Sequence, residues 1–139
     1  MRFYLYYIGK PRDDSANGLA DEYIKRCTRF AKTEMREIRP AKFDPWEKHP
    51  AASKILLDPA GVTMDSAAFA KRIGKVEQEG RDQVFLIGGA DGPPDGWRDR
   101  ADLLLSLSPM TMPHELARVV LAEQLYRAFT MLRGHPYPR

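Results

Sequence analysis

Gly88 and Gly89 close the apolar run Val84–Ile87, and the stretch Leu107–Met112 (LSPMTM) closes a second apolar run. His114 and Arg118 follow four residues apart, and His135 and Tyr137 stand in the proline-spaced end HPYPR. Adjacent glycines let a backbone approach a ligand closely and can cradle a phosphate through N–H groups. The spacing in Gly88-Gly89-Ala90-Asp91-Gly92 is not a dinucleotide fingerprint, Pro93-Pro94 follows where a helix would open, and the Lys-Ser/Thr of a P-loop is missing. Two readings stay open: a tight strand-to-loop turn, or a seat for a nucleoside without a phosphate tail. LSPMTM is too apolar for an ordinary surface loop. Either Met110 and Met112 plug the core, or the loop walls a pocket for a flat or sulfur-bearing ligand, with backbone groups reading its polar edge. His114 and Arg118 share a helix face, which is either a solvated face or a mouth suited to an anionic, polar substrate. Tyr137 could stack on a base and Arg139 could meet a phosphate. His49, His114 and His135 are scattered, without zinc-ligand spacing, so no metal is expected, and no Gly-x-Ser-x-Gly elbow supports a hydrolase.

These groups need elements to hold them. Arg2–Ile8 reads as a strand ended by Gly9-Lys10-Pro11. A helix follows from the Asn17/Gly18 region to Lys32, with Leu19, Tyr23, Cys27 and Phe30 on one face. Glu34–Ile38 is a short strand stopped by Pro40, and Pro40–Ala52, with three prolines, is a loop. Lys54–Leu57 is a third strand closed by the turn signal Asp58-Pro59-Ala60-Gly61. Asp65 or Ser66 caps a helix carrying Phe69, Ile73 and Val76 and ending near Gly80. Gln83–Ile87 and Leu103–Leu107 are the fourth and fifth strands. Pro113–Arg133 is a long final helix with Leu116, Val119, Val120, Leu125 and Phe129 as its buried stripe and Glu123/Arg127 as a second i,i+4 pair. Alternating strands and helices with near-continuous apolar strands predict an α/β fold: a parallel-rich sheet flanked by helices and covered on both faces. Ligands in such folds sit in the crevice at the carboxyl ends of the strands.

The chain of 139 residues, 43% apolar and 29% charged, reads as one soluble globular domain over residues 1–139. One cysteine excludes an internal disulfide framework and fits a reducing compartment, so Cys27 reads as a buried structural thiol. The opening residues are too short an apolar run for a signal peptide and no stretch is long enough to span a membrane, which predicts a cytosolic protein. A net charge of +3 permits an anionic partner without demanding one. It is too small for tight binding of free RNA at physiological salt.

The same residues carry a family likeness. Gly88-Gly89-x-x-Gly92 after an apolar strand, LSLS-x-MT-x-PH, RVVLAEQLYRA and the terminal HPY resemble the ribosomal RNA large subunit methyltransferase H family, the small branch of the SPOUT class of RNA methyltransferases. The likeness is dense from Val84 to Tyr137. Upstream, the opening strand, Glu22 to Arg26 and Ile55–Asp58 fit in order and spacing. It implies a C-terminal trefoil knot and a homodimer packed through the final helix. It implies S-adenosylmethionine as donor, and methylation at N3 of a pseudouridine in the large-subunit (23S) RNA on the assembled ribosome. Carried over, the cofactor pocket is Leu57, Gly88, Gly89, Leu107, Ser108, Pro109, Met110, Thr111 and Met112, while His114, Arg118, His135 and Tyr137 face the target nucleotide. Three departures stand out: Asp91 in the glycine loop, Pro109 without an N–H in the cofactor loop, and Pro138 where many relatives have a second tail histidine. The alternative in another class is a non-catalytic ribosome- or RNA-binding module that retains the fold. A nucleotide-binding enzyme of the doubly wound type is a third, disfavoured by the missing phosphate motif.

Overall fold

Every strand of the sheet runs in the same direction. The computed structural model describes residues 1–137. In chain order the elements are β1 (Arg2–Tyr7), α1 (Asp14–Cys27), β2 (Lys32–Glu37), α2 (Pro45–Lys48), β3 (Ser53–Thr63), α3 (Ser66–Glu79), β4 (Gln83–Ile87), α4 (Trp97–Arg100), β5 (Leu103–Ser106) and α5 (His114–Leu132). The sheet has five strands in the order β2-β1-β4-β3-β5, all pairs parallel. β4 enters late and lies between β1 and β3, so both of its edges are paired and all five of its residues are buried.

Strand side chains alternate between two cores. Phe3, Leu5, Phe85, Ile87, Ile55 and Leu105 point to one side, where α1, α3 and α5 pack. Phe3 meets Phe129 of α5 edge to face at a ring-centroid distance of 5.1 Å. Tyr6, Leu56, Val84 and Leu86 point to the other side, covered thinly by Trp46 of α2 and Trp97 of α4. The two tryptophans meet edge to face at 5.7 Å. Burial on both faces explains the apolar continuity of these strands.

Several boundaries differ from the sequence reading, each for a local reason. α1 starts at Asp14 because the Asp13 carboxylate caps it, accepting from the Ala16 amide at 3.0 Å. It ends at Cys27, and Lys32 opens β2 instead of closing a helix. Leu19 is 48% exposed and leaves the buried face to Ala20, Ile24 and Cys27. Within Pro40–Ala52 a short helix forms where Asp44 caps Trp46. β3 does not stop at Leu57. It continues through Asp58-Pro59-Ala60-Gly61 to Thr63, with a register shift in which both Leu57 and Val62 pair with Leu105. Gly61 is needed there, since a Cβ would lie 2.5 Å from the Leu104 carbonyl oxygen. In α5 the stripe turns slightly: Val119, Leu121, Leu125 and Phe129 are buried, whereas Leu116 is 46% exposed and Val120 half-buried. α3 runs between Asp65, which caps Ala68 at 2.7 Å, and Gly80, which closes it at φ +70°.

Candidate active site

The bulge of β3 and the loops that follow β4 and β5 lie side by side and line a cavity of about 240 Å³. Its walls are Leu57 and Pro59 at the bulge of β3, Ile87 through Gly89 at the end of β4, and Leu107, Ser108, Met110, Thr111 and Met112 before α5, closed by His114 and Ala117 of α5. Of the nine residues that the sequence assigns to this pocket, the structure brings eight to the cavity wall; Pro109 stands exposed outside it. Met110 does not plug the core, being 79% exposed.

The two glycines are shaped by the chain's own packing. A Cβ on Gly88 would sit 3.0 Å from the Gly92 carbonyl carbon and the Pro93 nitrogen, and one on Gly89 3.1 Å from the Ile8 carbonyl oxygen. The loop is folded back on itself through Gly92 N–H to the Gly89 carbonyl at 3.0 Å. Its backbone, with no side chain in the way, therefore forms the wall. The Leu107–Met112 loop is set by two serines. Ser106 Oγ donates to the Ser108 carbonyl at 3.0 Å and Ser108 Oγ accepts from the Met110 amide at 3.0 Å. Met110 N–H is thus spent inside the loop and Pro109 has none. The amides of Thr111 and Met112 keep no acceptor among the described residues.

Two charged groups at this cavity are not singled out by the sequence. Asp58, 6% exposed, accepts from Arg98 Nε at 2.6 Å and from the Ala60 amide at 2.9 Å. The Arg98 hydrogen bond first, and then the Ala60 amide, hold its carboxyl below the usual range. The only sequence signal is an acid placed directly after an apolar strand, which also reads as a turn.

Arg118 is not at the cavity mouth. It is fully buried, its guanidinium carbon 3.6 Å from the centre of the Tyr7 ring, with Nη1 donating to Asn17 Oδ1 at 3.0 Å and Nη2 to the Gly9 carbonyl at 3.4 Å. One turn of helix lower, Glu115 accepts from the Arg12 and Asp13 amides at 2.9 and 3.0 Å and from Asn17 Nδ2 at 2.6 Å. Those bonds pull its pKa down to about 2. Together the pair clamps the β1–α1 loop onto the first turns of α5. The i,i+4 spacing from His114 is helical as expected, but which neighbour fills that face depends on a loop about a hundred residues away in the chain, and spacing carries no sign of it.

His135 and Tyr137 lie elsewhere again. Tyr137 packs on the α1–α5 layer, its ring 4.7 Å from Tyr126, its hydroxyl donating to Glu123 at 2.7 Å and 3.4 Å from the Tyr23 hydroxyl. Burial and these two hydroxyl contacts raise its pKa. Glu123 also pairs with Arg127 at 2.7 Å, and Arg26 stacks over Tyr23 at 5.2 Å. His135 Nδ1 accepts from the Tyr137 amide at 3.2 Å. From His114 to Glu123 the helix rises roughly 13 Å, so within one chain the cavity and this tail cluster are separate. Pro138 and Arg139 lie outside the described residues.

Among the described residues no group of three or more His, Cys, Asp or Glu is placed to hold a metal, and no helix is long and apolar enough to cross a membrane.

A parallel α/β sheet with a backbone-walled cleft at the carboxyl side of its central strands is the setting of a small-molecule site. The family model described as predicted SPOUT methyltransferase matches residues 1–138, and the chain belongs to that family. Its relatives are more particular. Ribosomal RNA large subunit methyltransferase H of Solibacter usitatus is 63% identical over 139 residues, covering all of both chains. The protein of the same name from Thermus thermophilus is 40% identical over 139 residues, covering 100% of this chain and 99% of its own. Among solved structures, a probable methylase family protein from Haemophilus influenzae superposes with a TM-score of 0.60 at 10% identity, covering 99% of this chain and 70% of that one, a likeness of fold.

Proposed function

We propose that this protein transfers the methyl group of S-adenosylmethionine to N3 of a pseudouridine in 23S ribosomal RNA, in the cytoplasm, acting as a homodimer on the assembled large subunit. The observation that carries this reading is the cleft itself, in a chain whose full-length relatives are named as methyltransferases of large-subunit RNA.

The donor fits the residues present. Leu57, Leu107 and Met112 offer apolar faces for a flat ring, and the amides of Thr111 and Met112 are available to its polar edge. The backbone of Gly88 and Gly89 permits close approach of a sugar and chain. When bound, S-adenosylmethionine supplies an electrophilic methyl group on a sulfonium. The chain's own task is then positioning, since holding the reacting atoms about 3–3.5 Å apart removes a large entropic part of the barrier. N3–H must lose its proton to a base. His114, on the cavity wall, and His135, beside Tyr137, are the candidates. Arg118 supports the site through the β1–α1 loop, with no path from its buried guanidinium to a nucleotide.

Two exposed leucines, Leu19 and Leu116, lie on the α1–α5 layer. Pairing two copies over that layer would cover them and would bring one chain's tail cluster toward the other's cavity.

Calorimetric titration of S-adenosylmethionine tests the donor assignment. Saturable binding is expected, weakened about tenfold to a hundredfold by Gly88→Leu, whose side chain would have to displace the Gly92-Pro93 backbone. No binding at millimolar donor, with or without ribosomes, would leave the RNA-binding module as the better reading.

A further inference from the structure

Asp58 and Arg98 stand on the cavity wall with no part in the roles described so far. Arg98 is carried by α4, a four-residue helix fixed by Trp97, which is 5% exposed and packed against Trp46. The backbone that carries Arg98 is therefore set by the thin core on that side of the sheet. Asp58 then holds it by one edge only, through Nε at 2.6 Å. Asp58 itself is pinned by the Ala60 amide at 2.9 Å.

A guanidinium held through Nε still has two terminal amino groups. These have no acceptor among the described residues, and the Arg98 side chain is 58% exposed where it lines the cavity. Two parallel N–H groups in one plane match the two oxygens of a carboxylate. The remaining wall is mainly apolar or backbone, and Arg98 is its one arginine or lysine among the described residues. An occupant with a flat apolar body and an anionic end would put that end at Arg98.

We propose that Arg98, oriented by Asp58, grips the carboxylate at the amino-acid end of the methyl donor and selects donors that carry it. This rests on the proposed donor assignment and adds a specificity-determining residue to it. Asp58 is a positioning residue in this scheme, acting through Arg98.

The test is calorimetric binding of S-adenosylhomocysteine and of its decarboxylated analogue to the wild-type chain, Arg98→Ala and Arg98→Lys. Arg98→Ala leaves the buried Asp58 carboxylate without its partner and should lower the melting temperature, whereas Arg98→Lys keeps a cation there and should lower it less, so both ligands are measured well below either transition. The wild type should bind the carboxylate-bearing ligand about tenfold more tightly than the analogue. Arg98→Ala should remove that difference by weakening S-adenosylhomocysteine alone, and Arg98→Lys, with the charge but without the fork, should restore part of it. Equal weakening of both ligands, or unchanged S-adenosylhomocysteine affinity, overturns the proposal. Unchanged donor affinity with weaker ribosome binding would make Arg98 a contact for an RNA phosphate instead. If the wild type binds neither ligand, the donor assignment itself fails.

Discussion

The cavity beyond the sheet and the cluster around Tyr137 use opposite materials. The cavity is walled by loop backbone, three glycines and mainly apolar side chains, with one ion pair at its edge. The cluster is built from ionised and hydroxyl side chains on two helices, Tyr23 and Arg26 of α1 with Glu123, Tyr126 and Arg127 of α5. Backbone walls suit a ligand whose shape never varies, because main-chain groups cannot be exchanged by substitution. Side chains that neutralise one another on rigid helices suit a large polar partner whose approach must be tuned. The function proposed above would give donor binding and substrate recognition to separate parts of one chain.

That division can be broken most severely through the histidines, one at each region. His114→Ala with His135→Ala should lower turnover on ribosomes by about a hundredfold, and His135→Ala alone should leave donor affinity unchanged. Intact turnover in the double variant sinks the histidine-base assignment. A smaller effect separates the regions more finely. Tyr137→Phe removes the hydroxyl that donates to Glu123 and should cost about tenfold in turnover. Donor affinity measured calorimetrically should not change, and a parallel loss there would show that the two regions act as one.

The smallest effect concerns what both regions share, the anchoring of α5. Glu115 has its pKa lowered from an ordinary 4.5 to about 2 by the amides of Arg12 and Asp13 and by Asn17. A depressed carboxyl contributes stability that is complete above its unfolded value and is lost as pH falls through the folded one. The wild-type melting temperature should therefore fall between about pH 4.5 and pH 2 more steeply than that of Glu115→Gln. Identical acid limbs would remove Glu115 from the anchoring scheme.

Much of this architecture is legible because it rests on local rules. β4 stands where its apolar run predicts, and α3 runs between the Asp65 cap and Gly80 as composition suggests. The cavity loops are legible for the same reason, as apolar strands ending in glycine or in Ser/Pro/Met/Thr. What escapes depends on distant partners. Asp58-Pro59-Ala60-Gly61 has every mark of a turn and bulges out of the ladder, yet Val62 returns to pair with Leu105 as Leu57 does, and the strand continues. Arg118 has the spacing of a surface residue, yet Tyr7, Gly9 and Asn17 converge to bury it. Arg98 belongs to a helix too short for any periodic signal.

Cys27 is fully buried between α1 and α5, its Sγ 4.0 Å from the Ala122 carbonyl, and burial pushes its thiol up to about 12. A thiol held this way reacts with a soluble disulfide reagent only when the two helices part. As the chain's one cysteine, it is a built-in clock for that opening. Its labelling rate, compared with and without donor or ribosomes, would report how firmly each occupant locks the helices that join the two regions.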